Sequence, residues 1–209
     1  DARLPDLARL DPGLSGPARL VTTADSTDGR DWSYALTASA VGADLHLDGT
    51  ATAPVRGPLE NLAATGTLRL SVPDLAPLGA LTGRSLGGRI VADGTFDGDL
   101  PAQRLALTLD AEATTLTTGL AEADALLDGS PALRLDASLS GRNLTVTTAR
   151  LTSPRATFSA QGTLTPDSGA IALDGRIADL AVLSDDLAGP LTLTARATPR
   201  GTDSVALTL

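Results

Sequence analysis

Side chains able to run chemistry are few in this chain, which has one histidine and no cysteine or methionine. His46 sits between Leu45 and Leu47, so on a strand it faces away from both leucines. A usual zinc site cannot be anchored without a second His or a Cys, and His46 reads as a solvated surface histidine. The paired acids Asp185-Asp186, and Asp97 with Asp99 around Gly98, suggest carboxylate chemistry or calcium. The Asp-rich spacing of an EF-hand loop is absent, however, and so is the glycine-rich nonapeptide of calcium β-rolls. These acids read as turn and helix-end residues. Gly87-Gly88 leads into a strand rather than a helix, so it makes no phosphate cradle, and no serine stands at a nucleophile elbow. The reading is a non-enzyme with no metal and no cofactor.

The elements that carry these residues are overwhelmingly strands. Aromatics are only 2% of the 209 residues while Gly is 21 and Pro 13, a profile of many short strands joined by turns. Alternation runs through Trp32, Tyr34, Leu36, Ala38 and Ala40; through Leu45, Leu47, Gly49 and Ala51; and through Leu68, Leu70 and Val72. It continues in Ile90, Ala92, Gly94 and Phe96, in Leu105, Leu107, Leu109, Ala111 and Ala113, and in Leu133, Leu135, Ala137 and Leu139. Leu144 and Val146, then Phe158, Ala160, Gly162 and Leu164, then Ile171, Leu173, Gly175 and Ile177 follow the same rule. Leu191, Leu193, Ala195 and Ala197, and finally Val205, Leu207 and Leu209, complete the series. Thr, Asp, Arg and Ser fill the intervening positions. The pattern predicts a mostly β, antiparallel sheet with one greasy and one wet face.

A short phrase interrupts that rhythm three times: Asp6-Leu7-Ala8-Arg9-Leu10, Asp74-Leu75-Ala76-Pro77-Leu78 and Asp179-Leu180-Ala181-Val182-Leu183. Each copy is followed by Leu-x-Gly (Leu14 and Gly16, Leu86 and Gly88, Leu187 and Gly189) and then by an alternating strand. Leu7, Leu10 and Leu14 fall at helical spacing, as do Leu180, Leu183 and Leu187, while Leu75, Leu78 and Leu81 step by three. An Asp caps each first turn, so short helices are expected here, and a fourth over 120–127 that stops at Asp128-Gly129. The chain reads as one continuous repeat segment with approximate units 5–72, 73–177 and an incomplete 178–209. Its start at Asp1 and its end in mid-strand suggest a piece of something longer.

Formal net charge is −9 at pH 7, so a phosphate backbone would be repelled and nucleic acid is not an expected partner. All 16 basic residues are Arg, which fits a GC-rich genome. No apolar run is long enough for a membrane-spanning helix, and no signal peptide is visible. Asp48-Gly49, Asp93-Gly94 and Asp174-Gly175 resemble hairpin turns as dipeptides, yet each glycine stays in phase with its apolar row. There a glycine marks a bend or a close approach. Rows that run from bulky to small, such as Leu191, Leu193, Ala195 and Ala197, fit two arrangements. One is an ordinary core between two closely packed sheets; the other is a sheet curved around an aliphatic trough that receives acyl chains.

The repeated phrase, its Leu-x-Gly sequel, the strand Arg89 to Phe96 and the segment Thr118 to Gly129 resemble the TamB family of translocation and assembly modules and related AsmA-like proteins. The likeness extends from Pro5 to Leu209, and the stretch from Ser168 into Asp179-Leu180-Ala181 is its most characteristic part. Such proteins are anchored in the inner membrane of diderm bacteria and cross the periplasm. The resemblance implies a taco-like β-groove that conducts phospholipids between the two membranes and supports outer-membrane assembly. An Omp85-type barrel would be a partner through parts of the chain not present here. On that reading the groove lining is Leu36, Leu45, Leu47, Leu68, Leu70, Ile90, Phe96, Leu105, Leu107, Leu109, Leu133, Leu135, Leu144, Val146, Phe158, Leu164, Ile171, Leu173, Ile177, Leu191, Leu193 and Leu207. The alternative is a structural or adhesive envelope protein in which the same side chains form a dry core.

Overall fold

The computed structural model describes residues 1–9, 16–53, 61–184, 186–199 and 205–208. Thirteen strands form: β1 (Ala2–Leu4), β2 (Ala18–Asp25), β3 (Asp31–Ala40), β4 (Ala43–Thr52), β5 (Ala63–Val72), β6 (Gly87–Asp99) and β7 (Arg104–Thr117), followed by β8 (Ala132–Ser140), β9 (Asn143–Thr152), β10 (Ala156–Leu164), β11 (Gly169–Ile177), β12 (Leu191–Pro199) and β13 (Val205–Thr208). They make one sheet in strict chain order. Each strand is antiparallel to the next, and among the described residues β1 and β13 do not meet. The sheet is open and curved.

Register explains why alternation along each strand becomes a single apolar face. Leu36, Leu47, Leu68, Gly94, Leu109, Leu135, Ala149, Ala160, Leu173 and Ala195 are successive partners from β3 to β12. A parallel row runs Tyr34, Gly49, Gly66, Phe96, Leu107, Ala137, Val146, Gly162, Ile171, Ala197. A slip of one residue in any pair would send that strand's leucines into water, so the pattern itself enforces the register. The other face is polar and fastened by cross-strand pairs such as Arg69 with Asp93 at 3.0 Å, Arg134 with Asp110 at 2.8 Å and the Thr95 and Thr108 hydroxyls at 2.7 Å. Asp48-Gly49, Asp93-Gly94 and Asp174-Gly175 all lie inside strands, as the phase of their neighbours requires.

Two irregularities bend the sheet without breaking the face. In β9 the register shifts opposite Asp136 and Ala137, leaving Thr147 as the extra residue. Val146 and Ala149, three apart in sequence, therefore share one face, and Leu151 returns to the apolar side opposite Leu133 and Phe158. Near the start of β6 a second shift accompanies positive φ at Gly88 (98°) and Thr115 (52°). Bulges of this kind increase local twist and curvature.

The repeated phrases build a common clasp. Asp6 Oδ1 accepts from Ala8 N at 3.0 Å and Gly16 N at 3.3 Å, and Asp179 Oδ1 accepts from Ala181 N at 3.1 Å and Gly189 N at 2.9 Å. Asp74 Oδ1 accepts from Ala76 N at 2.9 Å. In all three copies the following leucine donates its backbone N–H to the distant glycine: Leu7 to Gly16 O at 2.8 Å, Leu75 to Gly88 O at 2.9 Å, Leu180 to Gly189 O at 2.8 Å. Those glycines have φ of 95°, 98° and 89°, the left-handed region that a side chain disfavours. The helical pieces are short: 3₁₀ turns at Leu7–Arg9, Ala76–Leu78 and Leu180–Val182, and a single α turn, α1 (Gly79–Thr82). The fourth expected helix is α2 (Ala121–Leu127), and Gly129 beyond it has φ of 99°. Leu10 and Leu14 lie outside the described residues.

Candidate functional site

The three clasps and α2 stand at the same end of the strands. The clasps join β1 to β2, β5 to β6 and β11 to β12, α2 joins β7 to β8, and antiparallel order places those four connections on one rim. Turns link β6 to β7, β8 to β9 and β10 to β11 on the opposite rim. α2 touches β7 and also the 3₁₀ turn that follows β11. Four flat strand spacings would separate those elements by about 19 Å, whereas seven helical residues span only about 10 Å, so the rim closes in towards the helix. Arg155, in the turn between β9 and β10, binds Asp128 at 2.8 Å and donates to Ala125 O at 3.2 Å, and Ser153 Oγ donates to Leu126 O at 2.6 Å. These bonds pin α2 across the strand ends.

Burial follows that asymmetry. Val72, Ala113, Ala156 and Ile177, at the helical ends of their strands, are buried together with the clasp leucines Leu7 and Leu75. At the turn rim, Leu105 keeps 49% of its surface exposed, Leu139 40% and Leu144 36%, although the three are successive ladder partners. Leu100, in the adjoining turn, is exposed as well. Between the rims most of the proposed lining is half-buried: Leu36, Leu45, Leu47, Leu68, Leu70, Ile90, Phe96, Leu107, Leu109, Leu133, Leu135, Val146, Phe158, Leu164 and Leu173. Ile171 is buried. Leu191 and Leu193 are exposed because β13 pairs only with Arg196 to Pro199, leaving that half of β12 at the sheet edge. Leu207 pairs with Ala197 in the ladder.

The described strands belong to one sheet, not to two separate ones. Substantial strand contacts join only sequence neighbours, and no described side chain reaches full burial. Most of the aliphatic face is half-buried, and clefts form on the polar side as well. One of about 500 Å³ is lined by Thr37, Asp44, His46, Arg69 and Asp93 among others.

Trp32 and Tyr34 share the apolar face, and each brings one polar group to it. Tyr34 reaches over β4, its hydroxyl donating weakly to Thr65 O at 3.4 Å. Gly49 and Gly66 are direct partners beneath it, and a Cβ on either would come within 2.9 Å of the Tyr34 oxygen. Burial raises the Tyr34 hydroxyl above its ordinary pKa, with a further push from Asp48. Trp32 Nε1 donates to Ala53 O at 3.3 Å.

On the polar face His46 stands between Thr37 Oγ1 at 3.0 Å and Asp48 Oδ2 at 3.1 Å, ordered as a nucleophile, base and acid would be. The ladders on either side of β4 engage the neighbouring backbone, so no pair of N–H groups is aimed at a developing oxyanion. Asp97 and Asp99 flank Arg104 at 3.8 and 3.7 Å, and Asp99 also accepts from Ala102 N at 2.9 Å, the positions of surface and turn residues. Asp185 lies outside the described residues. Sequence reasoning leaves Leu139 and Leu151 out of the lining: Leu139 for want of a signal that it sits at the bare rim, Leu151 because the β9 bulge hides its phase. The odd spacing Val146 to Ala149 is the signal that would have recovered Leu151.

No family model, curated protein or solved structure matches this chain.

Proposed function

We propose that this chain is a segment of a hydrophobic β-groove that holds the acyl chains of phospholipids and lets them move along it, as in a conduit between the two membranes of a diderm envelope. The observation that carries the reading is the aliphatic face itself: continuous from β3 to β12 in one sheet, with no described side chain fully buried. Contiguous apolar surface left partly exposed is a mark of binding grooves, so a guest is the natural cover.

The energetics suit transfer rather than capture. Each methylene removed from water contributes about 0.8 kcal/mol, enough over two tails to retain a lipid. Successive rows offer near-equivalent Leu, Ile, Val and Ala surfaces, so translation along the face changes the energy little. No catalytic step is needed. Periplasmic placement, an inner-membrane anchor and an Omp85-type partner belong to the same proposal through the resemblance of the repeated phrases.

The test is native mass spectrometry of the chain purified from bacteria, with extraction and identification of bound lipid. Co-purifying phospholipid, displaced when Leu107→Asp or Leu135→Asp is introduced into a chain that still folds, is the expected result. Recovery of folded, lipid-free protein would favour a scaffold with a dry interior.

A further inference from the structure

The two free edges of the sheet are stepped, and the steps are complementary. β1 has three residues and covers only Ala18, Arg19 and Leu20 of the eight in β2; among the described residues nothing pairs with Val21 to Asp25 on that side. β13 has four and covers only Arg196 to Pro199 of the nine in β12, so Leu191 to Ala195 are likewise without a described neighbour. Both β2 and β12 start at the helical rim. The first edge is therefore filled at the helical rim and vacant towards the turn rim, and the second edge is the reverse.

The vacancies present unpaired backbone groups in a definite order. Ala178 N donates to Arg155 O at 2.8 Å, so alternate residues of β11 counted from Ala178 bond β10 and the others bond β12. Leu191, Leu193 and Ala195 are thereby committed to β11, and Thr192 and Thr194 turn their N–H and C=O groups to the edge. The bond from Ala53 N to Arg30 O at 2.9 Å sets the same alternation from β4 through β3 to β2, where Thr22 and Ala24 face outwards, with Arg3 outward on β1. Exposed leucines line the same two edges: Leu20 on the first, Leu191 and Leu193 on the second. Edges of this kind are templates for pairing with another chain.

We infer that copies of this chain join head to tail, the second edge of one against the first edge of the next, into one continued antiparallel sheet. β1 of the next copy enters the vacancy beside β12, while β13 of the first enters the vacancy beside the next copy's β2. Arg3 opposite Thr192 is the register that brings outward backbone groups together without overlap. It sets Ala2 against Leu193 and Leu4 against Leu191 on the apolar face, and Thr208 against Thr23 of the next copy, with one position between Thr208 and Asp1. Asp1 then stands opposite Thr194 and diagonal to Arg196, within reach of a cross-strand charge pair. Strand direction fixes the polarity of the joint: pairing two second edges about a two-fold axis would lay each β13 parallel to the other copy's β12, against the antiparallel order of the described sheet. A heterologous contact of this type repeats into a filament or closes as a ring. The inference does not depend on the lipid-groove reading; through the joint the apolar face passes from copy to copy along the row Leu193, Ala2, Leu20.

Sedimentation velocity of the whole chain from about 10 µM to about 1 mM, the affinity range suited to a small seam, is expected to show association that grows beyond a dimer. Thr194→Pro removes an outward N–H on one edge and Ala24→Pro on the other, each at an edge position where proline leaves the inner ladder intact. Either variant alone should stay monomeric, and an equimolar mixture should form a one-to-one heterodimer and nothing larger, because a single sound joint remains. A parent that is monomeric throughout the range overturns the joint and leaves the edges to segments of other sequence. A variant that still self-associates overturns the head-to-tail polarity. Hydrogen exchange on the parent needs no substitution: the amides of Thr192, Thr194 and Ala24 should slow at least about tenfold across the same range, while those of Leu193 and Thr23, which bond inwards, stay constant. Association without that slowing would place the contact elsewhere and refute the seam.

Discussion

Leu139→Ser separates a guest-binding face from a packed core, because the two give opposite balances of stability against affinity. Leu139 is 40% exposed, so only the covered 60% of its surface contributes in the empty protein. Burying a whole leucine is worth about 2 kcal/mol, which makes the expected loss of folding stability about 1 kcal/mol. An acyl chain over this position forfeits apolar contact for about three methylenes, roughly 2.4 kcal/mol at ~0.8 kcal/mol each. That is an affinity about fiftyfold weaker. Urea unfolding reads the first quantity and titration with short-chain phosphatidylglycerol, followed by native mass spectrometry, the second. The reasoning fails if the variant loses the ~3 kcal/mol or more typical of truncation inside a closed core while lipid affinity stays within about twofold of the parent's.

Other consequences follow from local geometry. Asp179→Ala removes the acceptor shared by Ala181 N and Gly189 N, so the urea midpoint should fall by the equivalent of about 1 kcal/mol; no change would mean the clasp is held by its leucine alone. Val41, at φ 53° beside Gly42 at 76°, occupies a two-residue hairpin turn that prefers Asn-Gly, and Val41→Asn should stabilise by about 1 kcal/mol, seen as a higher melting temperature. Thr118 N and Oγ1 both donate to Asp124 Oδ1, at 2.6 and 2.7 Å, and hold that carboxyl below its ordinary value of 3.8. A depressed folded pKa stabilises above the unfolded value and is lost as pH falls through the folded one. Hydrogen exchange in α2 should therefore accelerate only below pH 3.8, and Asp124→Asn should flatten that acid limb.

The one-dimensional pattern determined a good deal. Alternation of Leu, Ile, Val and Ala with Thr, Asp, Arg and Ser requires strands with two unlike faces, because the pleat sends successive side chains to opposite sides. Phase alone kept Gly49, Gly94 and Gly175 inside strands although each follows an Asp. The Asp-Leu-Ala phrase marked its own helical turns, since the capping carboxylate and the left-handed glycine are local devices. His46 fell on the polar face for the same reason of period.

Only the tertiary structure decided that the apolar rows join in one sheet of strict chain order. Period two is identical whether a second sheet covers the row or nothing does, because a strand's pattern records that one side avoids water and says nothing of what excludes it. The β9 bulge was likewise invisible to a strict period, since one inserted residue reverses the phase of Ala149 and Leu151 relative to Val146. Most of all, the gathering of three clasps and α2 on one rim, with Leu105, Leu139 and Leu144 bare on the other, depends on counting every strand reversal from β1 to β12. Which end of a strand a connection occupies is a property of the whole meander and of no single segment.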